Sequence, residues 1–175
     1  LARGLDAPTA GILGYDETRE EFEVVLGIKD GAPEEEQAGR RLPLGEGLIS
    51  RAAVLRQPIR VDDYAEACRR AGVTPVDVGL RHRYWLGAPM VAGDEVVGVI
   101  VVCSSARAFT EADERLLSNI AGLAGLAFRS ARLYQEVQTL FESFAEASVT
   151  AIEARAPPTA GHSGRVATLT VEIAK

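Results

Sequence analysis

Residues 109–155 read FTEADERLLSNIAGLAGLAFRSARLYQEVQTLFESFAEASVTAIEAR and are predicted to form one long helix. The stretch contains no proline, and two glycines are its only weak helix formers. At its start, Thr110 and Asp113 have the spacing of a capping box, in which each side chain pairs with the backbone N–H of the other residue. The prolines at 157 and 158 end it, because proline lacks the N–H that helical hydrogen bonding needs. We therefore expect the chain to be organised around this helix.

Apolar and small residues recur along the helix at alternating three- and four-residue steps, which is typical of a coiled-coil seam. The helix would extend about 70 Å, well beyond the ~30 Å of a small domain. We expect its first half to pack on its own domain and its second half to pair with a second copy, giving a homodimer through Phe109 to Arg155. The alternative is a long core helix within one domain. The seam consists of Leu116, Ile120, Leu123, Ala127, Ser130, Tyr134, Val137, Phe141 and Phe144.

Composition limits the class of protein. With 175 residues, 47% apolar and 25% charged, the chain can bury a core and form one domain plus an extension. Apolar runs such as Val96–Cys103 are far shorter than the ~20 residues that span a bilayer. The net charge of −6 argues against a nucleic-acid partner, because phosphate binding requires a basic patch. We expect neither a nucleic-acid nor a membrane partner.

The two cysteines, Cys68 and Cys103, show no CxxC spacing. This pattern favours structural thiols in a reduced, cytoplasmic protein. The chain begins at Leu1 without an initiator methionine and stops at Lys175 within a helical pattern. We therefore expect it to be a piece of a longer protein.

Alternation and turn residues predict the strands. In the second strand, Phe22, Val24, Leu26 and Ile28 follow period two, so we expect them to share one core face. A loop is predicted over 30–39. The segment 64–84 stays undecided: residues 65–71 can form a helical turn, but glycines and a proline break the pattern after it. Long irregular segments in compact domains are frequently functional. The strands are predicted at 10–16, 21–29, 40–44, 59–61, 85–91 and 95–103, with a helix over 48–57.

Three stretches resemble a GAF domain in order and spacing: GEGLISRAAVLRQPIRVDD (45–63), WLGAPMVAGDEVVGVIVV (85–102) and FTEADERLLSNIAGLAGLA (109–127). The resemblance covers residues 10–131. It implies an α+β fold, an α/β sandwich with a central antiparallel sheet of about six strands. It also implies helices on one face of the sheet and a small-molecule pocket on the other.

The known ligands of GAF domains leave few matches here. Cyclic-nucleotide binders often carry Asn-Lys…Phe-x-x-x-Asp-Glu, and this chain keeps Phe109 and Asp113-Glu114 but has Ser104-Ser105 in place of Asn-Lys. Bilin attachment would use a cysteine beside a histidine, whereas Cys68 precedes two arginines. Methionine sulfoxide reduction uses several cysteines, and a lone histidine, His82, is a poor haem site. We therefore expect a small-molecule effector of unknown identity and no certain cofactor.

If there is a pocket, its lining is expected to come from the irregular segment and the strand after it. Aromatic rings and an arginine supply stacking surface and an anion partner. The alternative for Trp85 and Met90 is plain core packing. The predicted ligand-binding residues are Tyr64, Arg81, Tyr84, Trp85 and Met90.

The end of the chain, AIEARAPPTAGHSGRV (151–166), resembles the opening of an HD-GYP domain, a class of metal-dependent phosphohydrolase that hydrolyses cyclic di-GMP. Ala156 and Pro158 depart from the family's aspartate and tyrosine. The resemblance implies that His162 is a metal ligand in the parent enzyme, with divalent metals bound only in the missing HD-GYP part. This fragment is therefore expected to have no catalytic residue and no metal site. The matching residues are Pro157, Thr159, Gly161, His162, Ser163 and Arg165.

These patterns predict three segments: a GAF-like sensory domain (1–131), a linker or signalling helix (132–156) and a truncated start of an HD-GYP-like domain (157–175). The first would bind a small molecule, dimerise, or do both, and so control a downstream phosphodiesterase. The alternative is a ligand-free GAF module that acts only in dimerisation. A third hypothesis, that the chain is itself an enzyme, has neither a nucleophile motif nor a phosphate loop to support it.

Overall fold

The computed structural model describes residue 5, residues 7–76 and residues 83–155. The chain divides into two units, with the boundary between Arg129 and Ser130. The strands are β1 (Thr9–Asp16), β2 (Glu21–Lys29), β3 (Ala32–Pro33), β4 (Arg41–Pro43), β5 (Ile59–Val61), β6 (Tyr84–Ala92) and β7 (Glu95–Ser104). The helices are α1 (Gly47–Leu55), α2 (Tyr64–Ala71) and α3 (Glu111–Arg155), and one 3₁₀ turn covers Glu35–Gln37.

The strands form one antiparallel sheet in the order β3-β2-β1-β7-β6-β5, and β4 also pairs with β2. β7 lies between β1 and β6, and its side chains are buried on both faces of the sheet, as its continuous apolar sequence predicts. The β6–β7 hairpin turns at Gly93-Asp94. The predicted α+β fold with a central antiparallel sheet is therefore confirmed.

One face of the sheet packs against the first half of α3, and we call it the α3 face. There Leu86, Met90 and Ile100 are almost fully buried together with Leu117 and Ala121 of the helix. The opposite face packs against α1 and α2, and we call it the cavity face. The side chains buried between this face and the two helices include Leu13, Phe22, Leu42, Leu48, Ile49, Ala52, Cys68, Trp85, Val99 and Cys103.

The predicted capping box is present at the start of α3. Thr110 Oγ1 accepts a hydrogen bond from the N–H of Asp113 at 3.2 Å, and Asp113 Oδ2 accepts one from the N–H of Thr110 at 2.8 Å. Arg107 strengthens this end, since its Nη1 donates to Asp113 Oδ2 at 2.8 Å and its Nη2 donates to the carbonyl of Leu5 at 2.6 Å. The helix start is thus tied to the residues that precede β1.

A β-bulge corrects the predicted pattern of β2. Ile12 pairs with Leu26 and Leu13 pairs with Val24, so Val25 is an extra residue in the ladder. The extra residue reverses the alternation of the second half of the strand. Phe22 and Val24 pack on the cavity face, whereas Ile28 packs on the α3 face. The expectation that all four apolar residues share one face is therefore wrong.

The apolar residues of α3 do not all face the core. In the first unit the buried positions include Leu117 and Ala121, while the predicted seam residues Leu116 and Leu123 are 44% and 71% exposed. In the second unit the large apolar side chains are 38–73% exposed: Leu133, Tyr134, Val137, Leu140, Phe141, Phe144 and Val149. Among the described residues, no helix is both long enough and apolar enough to cross a bilayer.

Candidate functional site

The cavity face borders a partly open space of about 80 Å³, lined by residues of the sheet, the two short helices and the segment that follows β3. Carbon atoms dominate its wall. Five strands of the sheet, β1, β2, β4, β6 and β7, contribute residues to the lining. The lining residues are Thr9, Ala10, Gly11, Leu13, Val24, Gly27, Glu34, Gln37, Arg40, Leu42, Ile49, Tyr64, Val76, Trp85, Val101 and Cys103.

A cross-strand pair of glycines accounts for the space. Gly11 of β1 lies directly opposite Gly27 of β2, so two neighbouring positions lack side chains on this face. A β-carbon at Gly11 would lie 3.2 Å from Val101 Cγ2, and one at Gly27 would lie 3.4 Å from Gln37 Cβ. Any side chain at either position would therefore occupy the cavity.

Thr9 places a hydroxyl group in this apolar wall. Thr9 is the first residue of β1 and lies opposite Cys103 of β7 and Lys29 of β2. Only 8% of its surface is exposed. Its Oγ1 is buried and has no hydrogen-bond partner within the part of the chain that the structure describes. Buried side-chain oxygens are nearly always paired, so an unpaired one lining a cavity indicates a place for an external partner.

Two aromatic rings form one side of the cavity. The ring centroids of Tyr64 and Trp85 lie 6.0 Å apart. The indole of Trp85 occupies the place that a side chain at Gly87 would take. The hydroxyl of Tyr64 accepts a hydrogen bond from the N–H of Val76 at 3.1 Å, and burial raises the pKa of this phenol. Tyr64 is therefore neutral and fixed in position at physiological pH.

Charge is confined to one side of the cavity. Burial raises the pKa of Cys103 to about 12, so its thiol is also neutral. The charged residues in the described part of the lining, Glu34 and Arg40, have opposite signs and belong to the segment between β3 and β4. Backbone hydrogen bonds hold this segment against β2, from the N–H of Glu34 to the carbonyl of Gly27 and from the N–H of Gly39 to that of Val24. The arrangement suits an uncharged guest better than an ion.

The structure separates the five predicted ligand-binding residues. Tyr64 and Trp85 line the cavity. Tyr84 and Met90 pack with the α3 face instead, because alternate residues of β6 point to opposite sides of the sheet. Met90 is fully buried there, in agreement with the alternative of plain core packing. Arg81 lies outside the described residues, as does His162.

Sequence reasoning missed Thr9, Gly11 and Gly27. Glycines inside a strand pattern signal a close approach or an opening. That signal is visible in AGILGYD and VVLGIK, but it gains meaning only when the strand register is known. Within the described ranges, no cluster of three or more histidine, cysteine or acidic side chains could hold a metal ion.

Comparison with known proteins places the chain in a family. The sequence model of the GAF domain matches residues 1–129, which confirms the predicted resemblance. The fold is similar to that of the GAF domain of a phosphoenolpyruvate-protein phosphotransferase from Coxiella burnetii, with 22% identity and a TM-score of 0.65 over 78% of this chain and 80% of that one.

Two further solved structures are similar to this chain. The second GAF domain of DevS from Mycobacterium smegmatis is 24% identical, with a TM-score of 0.61 over 78% of this chain and 90% of that one. A GAF domain/HD domain protein from Geobacter sulfurreducens is 17% identical, with a TM-score of 0.57 over 75% and 86%. At these identities the likeness shows a shared fold.

Proposed function

This chain belongs to the GAF domain family, and from that premise we propose that it is the sensory, regulatory domain of a bacterial signalling protein. Its cavity face would bind a small molecule, and occupancy would bias the position of α3. The observation that carries the proposal is the apolar cavity, whose lining includes Thr9 with an unpaired, buried hydroxyl. Regulation of this kind requires two states that differ in ligand affinity.

We also propose that the controlled partner is an HD-GYP-type phosphodiesterase that follows α3 in the parent protein and hydrolyses cyclic di-GMP. The support is the sequence 151–166, with its Gly-His-Ser run and following arginine. In that parent, His162 would be one of several ligands to a divalent metal, while the GAF part would carry no catalytic residue. The GAF domain/HD domain protein from Geobacter sulfurreducens joins the same two domain types.

Native mass spectrometry on the gently purified chain tests the sensory proposal. A retained extra mass that is lost on mild activation, and that rebinds when added back, is the expected result. A chain that carries no extra mass and binds no member of a metabolite library would contradict it. The spectrum reports the association state in the same experiment.

A second candidate function, a module that acts only in dimerisation, has its own support. The second unit exposes seven large apolar side chains on α3, and six of them, all but Val149, recur at coiled-coil spacing. Val137 and Phe141 are 64% and 70% exposed and lie one turn apart on this stripe. A homodimer through α3 would bury them.

Sedimentation of the double variant Val137→Asp, Phe141→Asp tests this dimer. Burying two unpaired carboxylates is unfavourable, so association should weaken by about 100-fold or more while the first unit stays folded. Gln135→Asp with Thr139→Asp is the matched control, since it adds the same charge at the same spacing on the opposite side of the helix. Equal dissociation constants for the two double variants would contradict a dimer through this stripe.

A further inference from the structure

We infer that the cavity binds a small uncharged molecule with an apolar body and a single hydroxyl or carbonyl group, which pairs with Thr9 Oγ1. The inference rests on the proposed sensory function and specifies the chemical class of its ligand. Three independent features of the cavity lead to it: the charge of the wall, the position of the unpaired hydroxyl and the size of the space.

Among the lining residues that the structure describes, none carries a buried charge that could compensate an ion. Tyr64 and Cys103 are held neutral by burial, which raises the pKa of each. Glu34 and Arg40 have opposite signs, and the side chain of Arg40 pairs with Gln37 Oε1 at 3.2 Å. An ionic ligand entering this space would lose its hydration without gaining a counter-charge at the centre of the sheet.

A lining residue supplies the polar partner: Thr9 lines the cavity and its Oγ1 is buried. Thr9 Oγ1 can both donate and accept, so it pairs equally well with a hydroxyl or with a carbonyl oxygen. No hydrogen-bond partner for this atom exists in residues 7–76 or 83–155. One hydrogen-bonding group on the ligand would satisfy it, and the remaining lining from Gly11, Gly27 and Trp85 would contact carbon.

The size of the space favours small effectors. At about 80 Å³ it has roughly half the volume of an engineered apolar cavity of ~150 Å³ that binds benzene. A branched body of four or five carbon atoms is of this size. A purine nucleotide is far larger than this space.

NMR titration with three probes of the same carbon skeleton tests the charge preference. Isobutanol is neutral, isobutyrate is an anion and isobutylammonium is a cation. We expect isobutanol to shift the amide signals of Thr9, Gly11 and Gly27 and to bind at least roughly tenfold more tightly than either ion. Tighter binding of an ion at these amides would overturn the inference while leaving the sensory function intact.

Two variants test the assigned atoms. Thr9→Val keeps the shape but removes the hydroxyl, so isobutanol should bind roughly fivefold to tenfold more weakly. Gly27→Ala places a methyl group in the cavity, and isobutanol binding should be lost. Gly14→Ala is the control, because its β-carbon would point to the α3 face, 3.1 Å from Phe128 Cζ. It should leave binding unchanged.

The outcomes test the inferred ligand separately from the proposed sensory function. Isobutanol binding that is unaffected by both Thr9→Val and Gly27→Ala would overturn the inferred site. The absence of binding by all three probes would overturn the inferred ligand class, and the mass spectrum of the intact chain would then decide the sensory function independently. The amide signal of Gly93, which lies on the surface of the first unit, serves as a control at each probe concentration. Its chemical shift should not change.

Discussion

Two pairs of glycines lie across neighbouring strands of the sheet, and the two faces use them in opposite ways. Gly14 of β1 faces Gly98 of β7, where a β-carbon at Gly98 would overlap Met90 Cε and one at Gly14 would lie 3.1 Å from Phe128 Cζ. Gly11 of β1 faces Gly27 of β2, and there the space stays open as the cavity. The same residue type thus permits close packing on one face and leaves a ligand-sized space on the other.

The difference comes from the large side chains nearby. On the α3 face, Phe128 approaches Gly14 and Met90 approaches Gly98, so the space left by the glycines is occupied. On the cavity face, Trp85 is directed over Gly87, whereas a β-carbon at Gly27 would lie 3.4 Å from its nearest neighbour, Gln37 Cβ. The filled α3 face can hold a helix in a fixed position, whereas the cavity face has space in which a ligand can bind.

The largest expected effect distinguishes the two glycine pairs directly. A β-carbon at Gly98 would overlap the carbonyl oxygen of Leu13 and Met90 Cε, so Gly98→Ala should lower the free energy of unfolding by about 3 kcal/mol or more. Gly27→Ala meets its neighbours at 3.4 Å or beyond and should change it by less than about 1 kcal/mol. Urea denaturation measures both, and equal losses would mean that the faces are packed alike.

A smaller effect comes from truncating valines that are adjacent in β7 but point to opposite faces. Val102 is fully buried on the α3 face, so Val102→Ala should cost about 2 kcal/mol by lost burial and a new void. Val101 lines the cavity, where space already exists, and Val101→Ala should cost about 1 kcal/mol. Thermal and urea unfolding of the two variants measure the two losses of stability. A greater loss for Val101→Ala than for Val102→Ala would contradict the contrast between the two faces.

The smallest effect concerns the charged start of α3 beside the α3 face. The hydrogen bond from Arg107 and those from Thr110 hold the pKa of Asp113 at about 2, below its ordinary 3.8. Because the folded pKa is the lower one, the stabilisation is complete above about pH 4 and is lost as the pH falls through 2. Allowing for solvent screening at Arg107, whose side chain is 35% exposed, the loss should be about 1 kcal/mol.

Asp113→Asn supplies the control for this pH dependence. The amide does not ionise, so the variant should start less stable at pH 6 and lose less stability than the wild type between pH 5 and pH 2. Denaturant midpoints at several pH values measure the difference. Parallel curves for the two proteins would show that Asp113 titrates normally.

Local patterns predicted much of this fold correctly. The capping box at Thr110, the β6–β7 hairpin and the central position of β7 all follow from residues that are near one another in sequence. The bulge at Val25 was missed because period two continues unbroken through the sequence, and only the pairing with β1 reveals the extra residue. Recognition of the family rested on three stretches and on their order.

The candidate site was harder to predict, because it depends on the register between distant strands. Tyr64 and Trp85 were found from their residue type, whereas Met90 was assigned to the wrong face although alternation from Trp85 places it opposite. Gly11 and Gly27 are sixteen positions apart, and their pairing follows from the bulged β1–β2 ladder. Thr9 is an ordinary polar residue in the sequence and becomes distinctive only through its burial.

Trp85 is the only tryptophan in the chain, and it is 4% exposed beside the cavity. Its fluorescence therefore comes from one place in the molecule. A ligand that displaces water or contacts the indole would change the intensity and wavelength of that emission, so no attached dye is needed to detect binding. The protein thus has a built-in optical reporter, and whole libraries of candidate effectors can be screened by illuminating the unmodified chain.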